Sequence, residues 1–263
     1  PVRTGKSTFI TKLLNSLVLP NMKDKNNLER TIDEMPQSGD GKSIMTTQPK
    51  FIPNESVNVT LQNDVKMRVR LIDCVGYLVD GAIGHMENEK PRLVKTPWSD
   101  NDMPFEKAAE LGTYKVIANH STIGVMVTTD GSITDIPREN YVVAEEKVVA
   151  DLKDCNKPFV IVLNSVHPTS PETKNLQKSL QAKYGVGVVA LDVKNASEDD
   201  INKVFSKVLQ EFPVVRVCVK MPKWMQVLPY DHPLIQEVYT TISEAVQNMT
   251  KLGDFDAEFT LFA

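Results

Sequence analysis

The first eight residues constrain the fold of this chain most strongly. They read PVRTGKST, and their last part matches the end of the GxxxxGK[ST] pattern of a phosphate-binding P-loop. Apolar residues then recur at helical spacing over 6–19, as expected for the helix whose amino terminus faces phosphate. A chance GKST in an ordinary loop is the alternative, but the helical stretch that follows favours the P-loop.

Each residue type in this loop has a physical role toward phosphate. Gly5 lets the backbone approach the anion, Lys6 places a positive charge between the β- and γ-phosphates, and Ser7 can ligate Mg²⁺. Arg3 can contact phosphate, and a solvent-facing side chain is the alternative. The predicted nucleotide-binding residues of the loop are Arg3, Thr4, Gly5, Lys6, Ser7 and Thr8.

Both ends of the sequence suggest continuation. The first glycine of the pattern and the strand that feeds a P-loop are not among residues 1–8, so we expect the protein to extend upstream. Residues 259–263 (FTLFA) read as a strand without a nearby pairing partner, and we expect them to begin a further region.

Buried strands alternate with helices through most of the chain. Continuous Val/Ile runs indicate a mostly parallel sheet with helices on both faces, an α/β P-loop nucleoside-triphosphatase fold without its first strand. The stretches 20–56 and 77–105 read as long irregular loops. The predicted strands cover 57–62, 66–73, 121–130, 158–164 and 186–193, and the predicted helices cover 6–19, 106–118, 138–154, 171–184 and 197–211.

The pattern changes at Pro213. Residues 214–220 (VVRVCVK) alternate as in a half-exposed strand, and 232–252 repeat apolar residues at helical spacing. We therefore predict a nucleotide-binding domain over 1–212 and the beginning of a middle α/β domain over 213–263.

A carboxylate ends the strand at 66–73. Asp73 in the sequence LIDCVG can hold Mg²⁺ in the Walker-B role, and Gly76 then offers a backbone N–H near the γ-phosphate. An ordinary strand-end aspartate in a turn is the alternative.

We predict that the strands 57–62 and 66–73 form a hairpin through a short Asn63-Asp64 turn. Two threonines, Thr46 and Thr47, lie in the long loop between the first helix and this hairpin. A switch loop in this place supplies a hydroxyl to Mg²⁺. We predict both as catalytic and Thr47 also as a metal ligand, although the pattern does not decide which of them contacts metal. Two ordinary loop threonines are the alternative.

The loop that would read guanine lacks its usual residues. Asn164 is followed by Ser165, Val166 and His167, so the Lys and Asp of Asn-Lys-x-Asp are both missing. We predict Asn164 as a nucleotide-binding residue and ATP as the nucleotide. Tyr77 stands after Gly76 in place of a water-orienting Gln or His, which predicts slow turnover or the help of another group. Asp130, at the end of a central strand, is a weaker site candidate.

Charge and cysteine content further restrict the functions that the chain can have. The formal net charge of −4 argues against general nucleic-acid binding, and no apolar run is long enough for a membrane span. Cys74, Cys155 and Cys218 are far apart, which suggests a reducing compartment and no zinc site. A GTPase switch, or a structural subunit that binds nucleotide without turnover, would share these features and remains open.

Longer stretches of the sequence identify a protein family more specifically than these short motifs do. PVRTGKSTFI, IMTTQPKFIPN, VRLIDCVGY, STIGVMVTTDGSI and KPFVIVLNSVHP together resemble the stage IV sporulation protein A family of endospore-forming bacteria, through essentially the whole chain. The family is similar to translation-factor-class P-loop GTPases but hydrolyses ATP. The resemblance assigns Lys6 to the P-loop, Asp73 to Walker B, and Thr46 and Thr47 to the sensor position.

The resemblance also implies a biological setting. Family members use Mg²⁺ and ATP and polymerise into the basement layer of the spore coat. They lie at the outer forespore membrane on its cytoplasmic, mother-cell side, where contact with the membrane is indirect. A small amphipathic membrane peptide recruits them, and other coat proteins are expected partners.

Overall fold

The computed structural model describes residues 1–36, 49–60, 66–82, 86–87, 90–96, 99–247 and 249–255. The chain separates into two compact units, Pro1–Lys207 and Val208–Ala263. The first unit contains the P-loop and the parallel strands. The predicted boundary after residue 212 stays a prediction.

Helices and strands alternate through the first unit, as the Val/Ile pattern predicts. The helices are α1 (Lys6–Leu13), α2 (Lys25–Asp33), α3 (Phe105–Lys115), α4 (Val142–Asp154), α5 (Pro171–Tyr184) and α6 (Glu198–Gln210), the last of which ends in the second unit. The strands are β1 (Lys50–Thr60), β2 (Lys66–Asp73), β3 (Met86–Glu87), β4 (Lys90–Pro91), β5 (Leu93–Thr96), β6 (Ser99–Pro104), β7 (Gly124–Thr129), β8 (Phe159–Asn164) and β9 (Val188–Leu191).

Within the described residues, three strands form a parallel sheet in the order β7-β8-β9. In register, Thr129 of β7 lies opposite Asn164 of β8, which lies opposite Leu191 of β9. The carboxyl ends of the three strands therefore meet at one edge of the sheet. Strand β8 is buried along its whole length, which explains its continuous apolar sequence. The predicted α/β class is confirmed.

The predicted hairpin is present and longer than its pattern. Strand β1 pairs antiparallel with β2 from Lys50 opposite Asp73 to Thr60 opposite Lys66, with a register shift between Ile52 and Val57. This shift interrupts the alternation of side chains, and the sequence therefore shows only the part from residue 57 onward as a strand.

The two predicted loops contain regular structure. Helix α2 lies inside 20–56, and Asp24 caps it by accepting a hydrogen bond from the Asn26 N–H at 3.0 Å. Of its residues only Thr31 is buried, so α2 has no apolar stripe that a pattern could reveal. The stretch 77–105 contains the antiparallel pairs β3–β4 and β5–β6.

The second unit differs from its prediction at one element. Residues 214–220 form no strand; the Val214 N–H donates to the Thr250 carbonyl at 3.0 Å, and Val215 is 93% exposed. Alternation predicts that a segment suits a sheet, but it does not provide a pairing partner. The predicted helix 232–252 is present as α7 (Pro233–Gln247). The predicted strand 259–263 lies outside the described residues.

Candidate nucleotide-binding site

The phosphate loop turns into α1 through a glycine with a left-handed backbone. Gly5 has φ +86°, and a Cβ there would collide with the side-chain amide of Asn164. Any other residue at this position would therefore have an unfavourable backbone conformation and a steric clash. Helix α1 begins at Lys6, so its amino-terminal N–H groups and the positive end of its dipole lie at this loop.

The hydroxyl of Ser7 meets the carboxylate at the end of β2. Ser7 Oγ donates to Asp73 Oδ2 at 3.0 Å, and Asp73 is only 1% exposed. The structure thus brings together two predicted metal ligands that lie far apart in the sequence.

The ammonium group of Lys6 lies beside the same carboxylate. Its Nζ is 3.6 Å from Asp73 Oδ1 and donates to the Val75 carbonyl at 3.2 Å. One lysine therefore contacts both the strand end and the segment that leads to Gly76. A cation here offsets part of the cost of burying the Asp73 charge.

The donor set suits a hard divalent cation. Asp73 Oδ1 is a buried oxygen for which the described residues provide no hydrogen-bond donor within bonding distance, and the Ser7 hydroxyl lies on the other oxygen of the same group. Mg²⁺ prefers such oxygens and binds through one or two protein ligands plus phosphate oxygens. Ser7 and Asp73 therefore fit the predicted metal site.

Gly76 lies against the phosphate loop. It has φ +86°, and a Cβ there would come within 3.2 Å of the Pro1 carbonyl carbon. Its N–H donates to Thr113 Oγ1 in α3 at 3.3 Å. The sequence did not single out Thr113, because no motif surrounds it and its contact depends on how α3 packs.

Asn164 supports the loop through both ends of its amide. Its Nδ2 donates to the Thr4 carbonyl at 3.0 Å, and its Oδ1 accepts from the Val193 N–H at 3.1 Å. The side chain is buried. Asn164 therefore joins the carboxyl end of β8 to the P-loop and to the segment after β9, which the sequence did not predict.

The remaining loop residues differ in their surroundings. Thr4 is buried, and its hydroxyl donates to the Pro1 carbonyl at 3.2 Å. Arg3 has a left-handed backbone with φ 61°, and its carbonyl accepts from the buried Tyr141 hydroxyl at 3.4 Å. Thr8 is half-buried in the first turn of α1.

Tyr77 is held by α4. Its buried hydroxyl donates to the Asp151 carboxylate. Burial, followed by this hydrogen bond, raises the pKa of the Tyr77 hydroxyl above its ordinary value. The phenol therefore stays protonated and engaged with α4, and the predicted effect of Tyr77 on turnover stays a prediction.

Ser165 occupies the place where a guanine-reading loop carries lysine. It is fully buried, and its hydroxyl accepts from the His167 N–H at 3.0 Å and lies 3.3 Å from the Thr173 hydroxyl. The loop after β8 therefore closes on itself. Thr46 and Thr47 lie outside the described residues, and their predicted roles stay predictions.

Asp130 follows β7 at the same edge of the sheet. Its carboxylate accepts from the Ser132 N–H at 3.0 Å and from the Thr173 hydroxyl at 3.1 Å. Partial burial raises the pKa of this carboxyl, but hydrogen bonds from the Ser132, Ser165 and Thr173 hydroxyls and from the Ser132 N–H outweigh burial, and the net pKa lies below the ordinary value. Asp130 thus stabilises the loops beside the site.

Comparison with known proteins agrees with this geometry. The family described as "Stage IV sporulation protein A, ATPase domain" matches residues 1–213. Proteins named "Stage IV sporulation protein A" from Clostridioides difficile (strain 630) and Bacillus subtilis (strain 168) are 47% and 46% identical to the chain over 256 and 255 residues. The relative of the same name from Bacillus anthracis is 45% identical over 255 residues.

The matches include nearly all of this chain but only about half of each relative. Each includes 97% of this chain and 52% of the relative, so the chain spans about half the length of the relatives it matches. No solved structure matches the chain. Within the described residues, no helix is both long and apolar enough to cross a bilayer. The chain belongs to the stage IV sporulation protein A family and carries the ATPase domain of that family.

Proposed function

We propose that this domain binds Mg²⁺ and ATP at the phosphate loop and hydrolyses ATP slowly. The observation that carries the proposal is the hydrogen bond between Ser7 Oγ and Asp73 Oδ2 at 3.0 Å. It joins the hydroxyl that follows the P-loop lysine to the carboxylate that ends β2, which is the pair that a Mg²⁺-nucleotide site requires.

Catalysis would rest on position and charge. Lys6 places its ammonium where the β- and γ-phosphates bind, and the amino terminus of α1 adds backbone N–H groups to the same anion. Ser7 and Asp73 hold Mg²⁺, which when bound neutralises charge that develops on the phosphate oxygens. Thr46 or Thr47 senses the γ-phosphate. Phosphoryl transfer asks for little covalent help beyond this.

ATP is the proposed nucleotide because the loop after β8 lacks the guanine-reading residues. Ser165 replaces the lysine and is fully buried, while the Asn164 amide is bonded at both ends to backbone groups. Membership in a family with an ATPase domain supports the same choice.

We further propose that ATP hydrolysis drives self-assembly into the basement layer of the spore coat. The family name and the resemblance of the long sequence strings support this setting. The proposed location is the mother-cell side of the outer forespore membrane, with an amphipathic membrane peptide and other coat proteins as partners.

Phosphate release tests the enzymatic proposal. The full chain is incubated with ATP or with GTP, each with Mg²⁺ and each with a chelator. We expect Mg²⁺-dependent release from ATP. Release mainly from GTP would instead establish a GTPase switch. Bound ATP that stays intact over hours would establish a structural nucleotide-binding subunit.

Sedimentation tests the assembly proposal. The chain is incubated with ATP, ADP or a non-hydrolysable ATP analogue and then centrifuged. We expect pelleted polymer with ATP alone, because the analogue occupies the site without hydrolysis. Equal pelleting with all three nucleotides would contradict a role for hydrolysis.

A further inference from the structure

Thr113 in α3 holds the backbone N–H of Gly76. The N–H donates to Thr113 Oγ1 at 3.3 Å, and both residues are buried. We propose that Thr113 sets the preference between nucleotides with and without a γ-phosphate, because its hydroxyl competes with that phosphate for the Gly76 N–H. This inference rests on the proposed function and adds a positioning residue to the site.

The position of Gly76 places its amide beside the phosphate loop. The preceding Val75 carbonyl accepts from Lys6 Nζ at 3.2 Å, and a Cβ on Gly76 would lie 3.2 Å from the Pro1 carbonyl carbon. The Val75 carbonyl and the Gly76 N–H belong to one trans peptide unit and point in opposite directions, so the N–H points away from Lys6 and toward α3. A terminal phosphate bound by Lys6 in the proposed site therefore reaches this N–H only after the 75–76 peptide turns and its bond to Thr113 breaks.

One N–H cannot make two full hydrogen bonds at once. A buried N–H without a partner is costly, so it stays with Thr113 unless a better acceptor replaces the hydroxyl. A γ-phosphate is such an acceptor because it is charged. ADP has no γ-phosphate and leaves the bond to Thr113 intact. ATP binding must therefore break this bond, and ADP binding need not.

The substitution Thr113→Val should change the affinity for ATP without changing the affinity for ADP. Valine keeps the branched shape but provides no acceptor for the Gly76 N–H. The free and ADP-bound forms lose the same hydrogen bond, so the Kd for ADP should not change. The ATP-bound form does not use that bond, so its affinity should rise by about tenfold. Thr113→Ser retains a hydroxyl and should return the Kd for ATP to its wild-type value.

Isothermal titration of the full chain with Mg·ADP and with Mg·AMP-PNP provides the measurement. We expect the ratio of the two Kd values to change in Thr113→Val and to return in Thr113→Ser. Equal changes in both constants, or no change, would overturn the inference and give Thr113 a structural role. Wild-type protein that binds neither nucleotide would instead contradict the proposed function.

The wild-type Gly76 amide gives a second readout that does not depend on how Thr113→Val folds. In ¹H–¹⁵N spectra of the full chain we expect the Gly76 signal to move on addition of Mg·AMP-PNP and to move much less with Mg·ADP. The same displacement with both nucleotides would show that the N–H does not distinguish the γ-phosphate, and the inference would be wrong.

Discussion

The hydroxyl of Ser7 donates to the buried carboxylate of Asp73 at 3.0 Å. The contact joins the first turn of α1 to the end of β2, and Lys6 lies 3.6 Å from the other oxygen of the same carboxylate. One buried group thus contacts both the predicted metal ligand and the predicted phosphate ligand of the loop. This arrangement makes Asp73 the residue on which the proposed site depends most.

Asp73→Asn should abolish the effect of Mg²⁺ on the reaction. The amide keeps the shape but removes the charge that holds the cation, so we expect turnover to fall by about a hundredfold or more. Phosphate release from ATP across a Mg²⁺ titration measures this loss. The matched control is Asp199→Asn in the exposed first turn of α6, which should leave turnover unchanged. Wild-type turnover in Asp73→Asn would remove Asp73 from the metal site.

Lys6→Ala should weaken nucleotide binding. The ammonium group lies 3.6 Å from the Asp73 carboxylate in the proposed site, and its removal leaves the phosphates without that positive charge. We expect the Kd for Mg·ATP to rise by at least about tenfold in a titration. Lys12→Ala, in the last turn of the same helix, provides the control. Equal affinity of the two variants would exclude Lys6 from phosphate binding.

The double substitution Thr46→Ala with Thr47→Ala should separate binding from turnover. If these threonines sense the γ-phosphate, the variant should bind Mg·ATP with nearly wild-type affinity and release phosphate more slowly. The matched control is the double substitution Thr240→Ala with Thr241→Ala, which changes two consecutive, exposed threonines of α7. Unchanged turnover in the first variant would identify Thr46 and Thr47 as ordinary loop residues.

Breaking the ion pair between Arg138 and Glu145 should destabilise the fold more than breaking an exposed pair does. The two terminal guanidinium nitrogens, Nη1 and Nη2, each lie 2.7 Å from one carboxylate oxygen, and Glu145 is fully buried. Arg138→Met leaves that charge uncompensated, so we expect the free energy of unfolding to fall by about 3–5 kcal/mol.

Urea unfolding measures this loss against a control. Arg30→Met in α2 breaks the exposed pair with Glu34, which follows the helix, and should cost less than about 1 kcal/mol. Adding Glu145→Gln to Arg138→Met removes the unpaired charge and should restore part of the stability. A similar loss in the Arg30 and Arg138 variants would show that burial does not determine the strength of the pair.

Asp130 should make the protein less stable in acid. Its folded pKa lies below the ordinary value of 3.8, so its contribution is fully present above that pH and is lost as the pH falls through the folded pKa. The stability difference between wild type and Asp130→Asn should therefore shrink over a series of pH values that starts above 3.8 and falls below it. Urea unfolding at each pH, with the exposed Asp33→Asn as control, measures it. A constant difference would contradict the lowered pKa.

The sequence predicted the elements that short-range rules determine. Gly5 and Lys6 were recognised because a phosphate loop requires a close approach of the backbone to the anion and a cation at fixed spacing. Strand β8 was recognised because burial on both faces produces a continuous apolar run. Asp73 was selected because it ends a strand, and helix α1 because its apolar residues repeat at helical spacing.

The tertiary structure decided which distant groups meet. The contacts of Asn164 with Thr4 and Val193, and of Gly76 with Thr113, depend on how strand ends and helices pack, and no local pattern encodes them. The same reason explains the errors at α2, which forms without an apolar stripe, and at 214–220, where an alternating segment lacks a strand partner in the described residues. Periodicity records which face of an element is buried, whereas a hydrogen bond between elements requires their relative positions, which only the folded chain provides.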